Sequence, residues 1–528
     1  MSIAIRDPAR GLVRPSAYAH PVTDVRCIET HISIVLLAGD FAYKIKKPVS
    51  LGFLDYSTIE ARKHMCEEEI RLNRRLAPDI YLGVERITDD GHALRVGGEG
   101  ETVDYAVKMR RVPEDRLLSA LIAHDDVSRD DVHAVARVLG AFHRSAATDA
   151  KVAAHGRPDA IRRNWSENFE QTRDCVGLTL PADARSRTER FVDRWLSDHD
   201  DLIEQRADSG RVRDIHGDLR CDSVVIDPAG EISIMDCIEF SDRLRCGDVA
   251  GDVAFLAMDM EFRDRRDLVD EFMAAYLGET GDGTLAPVLD FYRCYRAYVR
   301  GKVEWLTRSS MRNPSERGAA DGRGSRYFRL AESYASARHP PRVVAMAGLS
   351  GTGKSFVANA LAARLGAAIL STDGLRRAAL GLPAGAELRS EPNAGLYTGE
   401  ERARVYASMR DQAGRHLRAG IPVILDATHA TAAERAETMA LAGGAGVPLL
   451  FVRVTADDET VRARLAARGA GGAHASDADW AVYVEQLRQF EPLDECGPDV
   501  RMQIDGAAAL TPNLDAIVER LGDASVRA

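Results

Sequence analysis

Two patterns of apolar and polar positions divide this chain. Near its start, the segments ISIVLLAG (32–39) and FAYKIKKPV (41–49) have the β-branched and aromatic content and period-two alternation that predict strands. The rest of the block, to about residue 338, is mainly helical in pattern. From about 341 onward, short wholly apolar runs (RVVAMAG, AAILST, IPVILDAT and VPLLFVRV) recur between helical stretches. Buried strands alternating with helices predict a parallel sheet. The join is SARHPPR, where Pro340 and Pro341 end the helix predicted from RYFRLAESYASA. The Gly- and Ser-containing stretch NPSERGAADGRGS (313–325) predicts an exposed loop. Two domains follow, 1–338 and 339–528, with no internal repeat.

Composition narrows the class. A chain of 528 residues exceeds one ordinary core, and 45% apolar with 29% charged residues is a globular balance. A net charge of −11 is modest at this length and argues against a nucleic-acid polymer or an anionic membrane as partner. No apolar run approaches the ~20 residues that cross a bilayer. The opening MSIAIRDPARGLVRP lacks the basic-then-apolar order of a secretory signal. Eight cysteines without a C-x-x-C pair fit a reducing cytoplasm. Of 70 basic residues only eight are Lys; three stand in AYKIKKP and one in GTGKS. A compact ammonium at those places is a hint of phosphate chemistry.

The sharpest motif is GLSGTGKS. Gly348, Gly353, Lys354 and Ser355 satisfy G-x-x-x-x-G-K-[ST] between an apolar strand and an amphipathic helix. The cradle runs Gly348, Leu349, Ser350, Gly351, Thr352, Gly353, Lys354, Ser355 and Phe356. Its backbone N–H groups close on β- and γ-phosphate, Lys354 neutralises phosphate oxygens, and Ser355 holds Mg²⁺. Three later features favour a kinase over a plain ATPase. Asp373 in ILSTDGLRR follows the second strand, where an acceptor hydroxyl would meet the γ-phosphate, and Arg376 lies one turn on to grip substrate. Asp426 ends the strand in VILDATH as a ligand for Mg²⁺ or its waters, with Thr428 beside it toward the substrate. Arg464 and Arg468 share a helix face in VRARLAARGAGG, as in a closing lid that supplies transition-state charge. Taken alone, Asp373 reads equally as a helix N-cap and the Arg pair as a solvated face. Their order behind the phosphate loop favours chemistry.

The N-terminal block carries a second set. Lys44 lies on a predicted strand, with Lys46 on its face and Lys47 opposite. In MCEEEIRLNRRL, Glu69 shares a helix face with Met65, Leu72 and Leu76, so it points inward as the partner of a phosphate-binding Lys. The segment 103–118 predicts an interlobe strand and hinge. HGDLRCDS supplies Asp218 as catalytic base and His216 as scaffold, and Asp236 in EISIMDCIEF is a candidate metal ligand. Asp248 and Asp252 open a helix and brace the loop. His143 is assigned no chemistry.

Residues 342–525 resemble the small P-loop kinases related to polynucleotide kinase, gluconate kinase, chloramphenicol phosphotransferase and zeta toxins. The elements are GLSGTGKS, STDGLRR, ILDATHATAAER with Arg435, RLAARG and ASDADWAVYVEQ. This resemblance implies ATP- or GTP-dependent transfer to a small molecule's hydroxyl, with Arg435 toward the substrate. The N-terminal order resembles the aminoglycoside phosphotransferase family. More closely, it resembles bacterial proteins that fuse such a domain to a P-loop kinase, over nearly the whole chain. The implied fold class is an α+β two-lobed protein-kinase-like domain, with its small lobe to about residue 112, followed by an α/β P-loop NTPase domain with a parallel sheet. Two positions depart from the family's H-G-D-L-H-x-x-N: Arg220 and Ser223. Asn offers a carbonyl oxygen to Mg²⁺, whereas a Ser hydroxyl is shorter and reaches only if the backbone approaches or a water intervenes. No Gly-rich phosphate loop is found among the first strands. Three readings stand: a phosphotransferase whose N-terminal domain binds substrate or carries a second transfer; a pseudokinase sensor regulating the P-loop domain; and a P-loop ATPase switch, against which Asp373 and Arg376 speak.

Overall fold

The computed structural model describes residues 11–526 apart from 31, 52–53, 309–310, 312, 383–398 and 471–479. Within that range it describes the side chains apart from those of 51, 468–470 and 523–526. The chain forms two compact units: Met1–Asp131 with Ser145–Asp259 and Tyr295–Arg329, and Val132–Arg144 with Met260–Cys294 and Leu330–Ala528.

In the first unit, strands β1 (Val25–Glu29), β2 (Ser33–Ala38) and β3 (Phe41–Lys46) form an antiparallel meander, and β4 (Ser50–Leu51) and β5 (Leu54–Asp55) a small hairpin. After the helix Ile59–Asn73 come β6 (Tyr81–Asp89), β7 (Leu94–Val96) and β8 (Glu101–Arg110), and the six-stranded sheet takes the order β1-β2-β3-β8-β6-β7. Period two decides the faces of β3. Tyr43 and Ile45 join a core with Leu36, Ile87 and Ala106, while Ala42 packs with Cys66 and Ile70 of the helix. Lys44 and Lys46 share the Ala42 face, so two ammonium groups enter the cleft between sheet and helix. Thr58 caps that helix by accepting from Ala61 N–H.

The rest of the unit is mainly helical, with two short pairings. Strand β9 (Val212–Asp214) pairs with β12 (Cys246–Asp248), and β10 (Val224–Ile226) with β11 (Ile232–Ile234). The stretch expected to be a loop at 313–325 is instead part of a helix, Pro314–Ser336. Pro314 occupies the first turn, where its missing N–H costs nothing. Buried Ala320, Tyr327, Phe328 and Ala331 recur at helical spacing, and that packing outweighs the ~1 kcal/mol that each Gly costs a helix.

In the second unit, β13 (Val343–Ala347), β14 (Ala368–Ser371), β15 (Val423–Asp426), β16 (Leu449–Thr455) and β17 (Arg501–Asp505) form a parallel sheet in the order β14-β15-β13-β16-β17. Both faces are covered. Val344, Met346, Ile424 and Val452 pack with the helix Lys354–Leu365 on one side, and Val343, Ala345, Leu425 and Phe451 with Tyr406 and Met409 on the other. Double-sided burial explains why these strands read as continuous apolar runs. Among the described residues, no helix is long and apolar enough to cross a membrane.

Candidate active sites

Parallel strand register brings three predicted groups to one edge of the second unit. Asp426, last in β15, is level with Met346 of β13 on one side and Ser371 of β14 on the other. The phosphate loop leaves β13 one residue after Ala347, and the helix Thr372–Ala379 leaves β14 at once. Phosphate loop, Asp373 and Asp426 thus issue from the carboxyl ends of adjacent strands, where ligands of open α/β sheets collect.

The loop's shape depends on glycine at two positions. Gly348 has φ 125°, and a Cβ there would stand 2.4 Å from the Val454 carbonyl oxygen; Gly353 has φ 100° with the Gly506 carbonyl 3.3 Å from where a Cβ would stand. Lys354 Nζ donates to the Leu349 carbonyl at 2.7 Å, as does the Thr352 hydroxyl at 2.8 Å. Ser355 is exposed in the first turn of the helix. Its hydroxyl and the Asp426 carboxylate are oxygen donors of the kind Mg²⁺ takes, so the residues present fit that ion.

Ser371, not Asp373, caps the helix by accepting from Gly374 N–H at 3.0 Å. Asp373 is left for another task, and Arg376 Nη1 donates to it at 2.8 Å. The Thr428 carbonyl accepts from Gly348 N–H (3.1 Å), and its hydroxyl from Arg402 Nη2 (3.2 Å). Arg464 has a more local partner set than a lid residue: it donates to the carbonyls of Thr352 (3.2 Å) and Gly506 (2.8 Å), fastening the phosphate loop to the turn after β17. The Arg468 side chain lies outside the described residues. Arg435 corrects the sequence reading. It is fully buried, donates to the His429 and Pro492 carbonyls at 2.9 Å each, and pairs with Glu495, so it braces the fold.

Sequence reasoning missed Arg402, Tyr406 and Gln486. Gln486 Oε1 accepts from Ser350 N–H at 2.8 Å, directly on the phosphate loop. It stood inside the quoted ASDADWAVYVEQ, but nothing in a helical amide marks it as a loop partner.

In the first unit, Lys44 Nζ lies 2.8 Å from Glu69 Oε1 and 3.0 Å from Asp236 Oδ1. Lys46, fully buried, takes Glu69 Oε2 at 2.7 Å and pairs with Glu239, on which the Tyr56 hydroxyl also donates at 3.0 Å. Burial alone would depress the Lys44 ammonium, but Asp236, Glu69 and Glu239 outweigh it and hold its pKa well above the ordinary value. Lys44 in turn keeps the Asp236 carboxyl below the usual range. Asp236 has φ 66°, a strained conformation for a non-glycine residue. Its N–H donates to the Tyr81 hydroxyl (3.1 Å), and the next N–H to Asn73 Oδ1 (2.9 Å). Glu239 was missed because its partner Lys46 is 193 residues away.

The segment 216–223 is held from below. Asp252 accepts from His216 and Gly217 N–H (2.8 and 2.9 Å), and Asp259 from Cys221 N–H (2.9 Å). Asp248 binds Arg206 through both oxygens at 2.7 Å and caps Ala250 at 2.8 Å. Asp252 and Asp248 thus take the bracing and capping places expected of them. His216 Nε2–H donates to the Met235 carbonyl (2.9 Å), and its Nδ1 accepts from Asp218 N–H (3.3 Å). His143 is buried against the Tyr276 hydroxyl at 2.7 Å. Asp218 lies 3.5 Å from Arg220 Nε. Ser223 is 2% exposed and its hydroxyl donates to the Asp218 carbonyl at 3.4 Å, so it does not fit a second metal ion. Among the described residues, no group of three or more His, Cys, Asp or Glu is gathered to hold a metal.

Residues 61–291 match the family model described as phosphotransferase enzyme family, and 343–493 the one described as AAA domain. Uncharacterized proteins of Mycobacterium tuberculosis and Mycobacterium bovis are 36% identical over 492 residues, covering 92% of this chain and 95% of theirs. Among solved structures, a gluconokinase from Sinorhizobium meliloti is similar at 21% identity and TM-score 0.27, covering 36% of this chain and 97% of its own. A choline/ethanolamine kinase family protein from Mesorhizobium loti is similar at 15% and 0.38, covering 62% and 97%.

Proposed function

We propose that this chain, which belongs to the same family as those mycobacterial proteins and is a phosphotransferase of two kinase-type modules, transfers the γ-phosphate of ATP or GTP to a hydroxyl of a small molecule in its P-loop half. The observation that carries the reading is the register placing the phosphate loop, Asp373 and Asp426 at adjoining strand ends. Loop amides and the N-terminus of the helix Lys354–Leu365 receive the terminal phosphates. Lys354 leaves the Leu349 carbonyl to neutralise their oxygens. Asp373 orients the acceptor hydroxyl and takes its proton, and Arg376 holds the carboxylate in place until substrate arrives. Mg²⁺, when bound, draws charge from the phosphate oxygens, and Ser355 and Asp426 would hold it.

The kinase-like half binds a nucleotide through Lys44, Glu69 and Asp236, and either binds substrate or carries a second transfer with Asp218 as base. A sensor reading of this half is favoured by one observation, the Ser223 hydroxyl turned onto the Asp218 carbonyl. A metabolite screen with γ-labelled ATP on wild type, Lys354→Ala and Asp218→Asn separates these. Label transfer lost only in Lys354→Ala supports the P-loop reading with a sensor domain, and loss of a distinct product in Asp218→Asn supports two transfers. Full labelling in the Lys354→Ala variant overturns the assignment of chemistry to the P-loop half.

A further inference from the structure

A protein-kinase site neutralises its phosphates with two metal ions, one on an Asp after the catalytic loop and one on the loop's Asn. Asp236 occupies the first of these places. At the second, residue 223 closes the three-residue turn Cys221–Ser223, its N–H donating to the Arg220 carbonyl (2.9 Å), its own carbonyl accepting from Met235 N–H (2.9 Å), and its hydroxyl donating to the Asp218 carbonyl. All its polar atoms are engaged and only 2% of its surface is exposed.

The other departure in the same loop lies beside it. The Arg220 side chain is 19% exposed, with Nη1 3.0 Å from Asp222 Oδ2 and Nε 3.5 Å from Asp218 Oδ2. Its Nε is buried and makes no hydrogen bond among the described residues. A fixed guanidinium thus stands within one turn of where a second divalent ion would be held, and two cations so close repel. Asp222, the remaining carboxylate of the turn, is already engaged by Arg220.

We propose that Arg220 is a catalytic residue of the kinase-like half that supplies, as a built-in cation, the positive charge a second metal ion would bring, so that this site takes its nucleotide with a single divalent ion, at Asp236. Loss of the Asn and gain of the Arg are then one exchange. A guanidinium is permanently charged and presents N–H donors to phosphate oxygens, and part of the Arg220 side chain stays exposed beside Asp218. The inference rests on the reading that this half binds nucleotide.

The test is a count of bound Mn²⁺ per full-length chain by electron paramagnetic resonance, with a non-hydrolysable ATP analogue saturating both halves. Wild type is expected to hold two ions, one per nucleotide, and Ser223→Asn the same two, because Arg220 still excludes the third. Arg220→Ala is expected to weaken nucleotide binding in this half at least tenfold. Arg220→Ala/Ser223→Asn is expected to hold three ions and to recover that affinity. Three ions in wild type or in Ser223→Asn alone overturn the role of Arg220. One ion in wild type overturns it by removing nucleotide from this half altogether. If the double variant does not fold, the wild-type count still decides.

Discussion

The side-chain carbonyl of Gln486 accepts a hydrogen bond from the backbone N–H of Ser350 at 2.8 Å. An amide oxygen thus sits on a donor that the phosphate loop needs for nucleotide. A hydrogen bond of this kind is worth about 1 kcal/mol net, or roughly fivefold in affinity. Replacing Gln486 with Leu is expected to tighten ATP-analogue binding to the P-loop half by about that factor in a fluorescence titration. Weaker binding would mean that Gln486 helps to hold nucleotide.

Asp373 is free of the capping task that Ser371 performs. Asp373→Asn keeps the shape and removes the proton acceptor. It is expected to lower label transfer at least a hundredfold, the usual worth of a general base, with nucleotide affinity changed by less than about twofold. A parallel loss of affinity would assign Asp373 to the nucleotide instead.

Lys46 is enclosed between Glu69 and Glu239. Lys46→Met leaves the Glu239 carboxylate buried without its cation and Glu69 with Lys44 alone, a loss of about 3–5 kcal/mol by analogy with other broken buried pairs. The first urea transition of the full chain should move to markedly lower concentration. Adding Glu239→Gln should restore part of it, because the stranded charge is gone. If the single variant unfolds at the wild-type midpoint, the network contributes nothing to stability.

His429 is fully buried, donates through Nδ1 to the Met346 carbonyl at 2.7 Å, and has its pKa pushed down to about 4 by burial. The unfolded value is ~6.5. Because the folded pKa is the lower one, its contribution is fully present above pH 6.5 and is lost as pH falls toward 4, on the order of 3 kcal/mol over that interval. Its φ of 41° suits Asn, which also keeps an amide donor. His429→Asn should flatten the fall in melting temperature between pH 6.5 and 4, and an unchanged slope would place the acid sensitivity elsewhere.

Local chemistry made much of this legible. GLSGTGKS and the apolar runs around it specify strand, loop and helix within 25 residues, and β13 to β16 lie where those runs stand. Glu69 was readable from helical spacing, since an inward acid needs a cation and Lys44 and Lys46 were the cations at hand. The failures were tertiary. Gly-rich 313–325 is helical as part of Pro314–Ser336, a helix whose Ala320, Tyr327 and Phe328 are buried in the fold. Arg435 looked like a substrate residue because a sequence does not show that two carbonyls and Glu495 already enclose a guanidinium. Gln486 and Glu239 carry no motif, and only the folded chain brings them to their partners.

Arg464 and Gly506 have a consequence for how the phosphate loop behaves without its ligand. The Thr352 carbonyl points at the Arg464 guanidinium, and a Cβ at Gly506 would overlap that same oxygen. The oxygens on this side of the loop are thus already occupied, and a peptide flip that turned one toward the nucleotide would forfeit a charge-assisted bond. Arg464 thus fixes the loop's polarity in advance: its carbonyls are committed to a guanidinium before any ligand arrives.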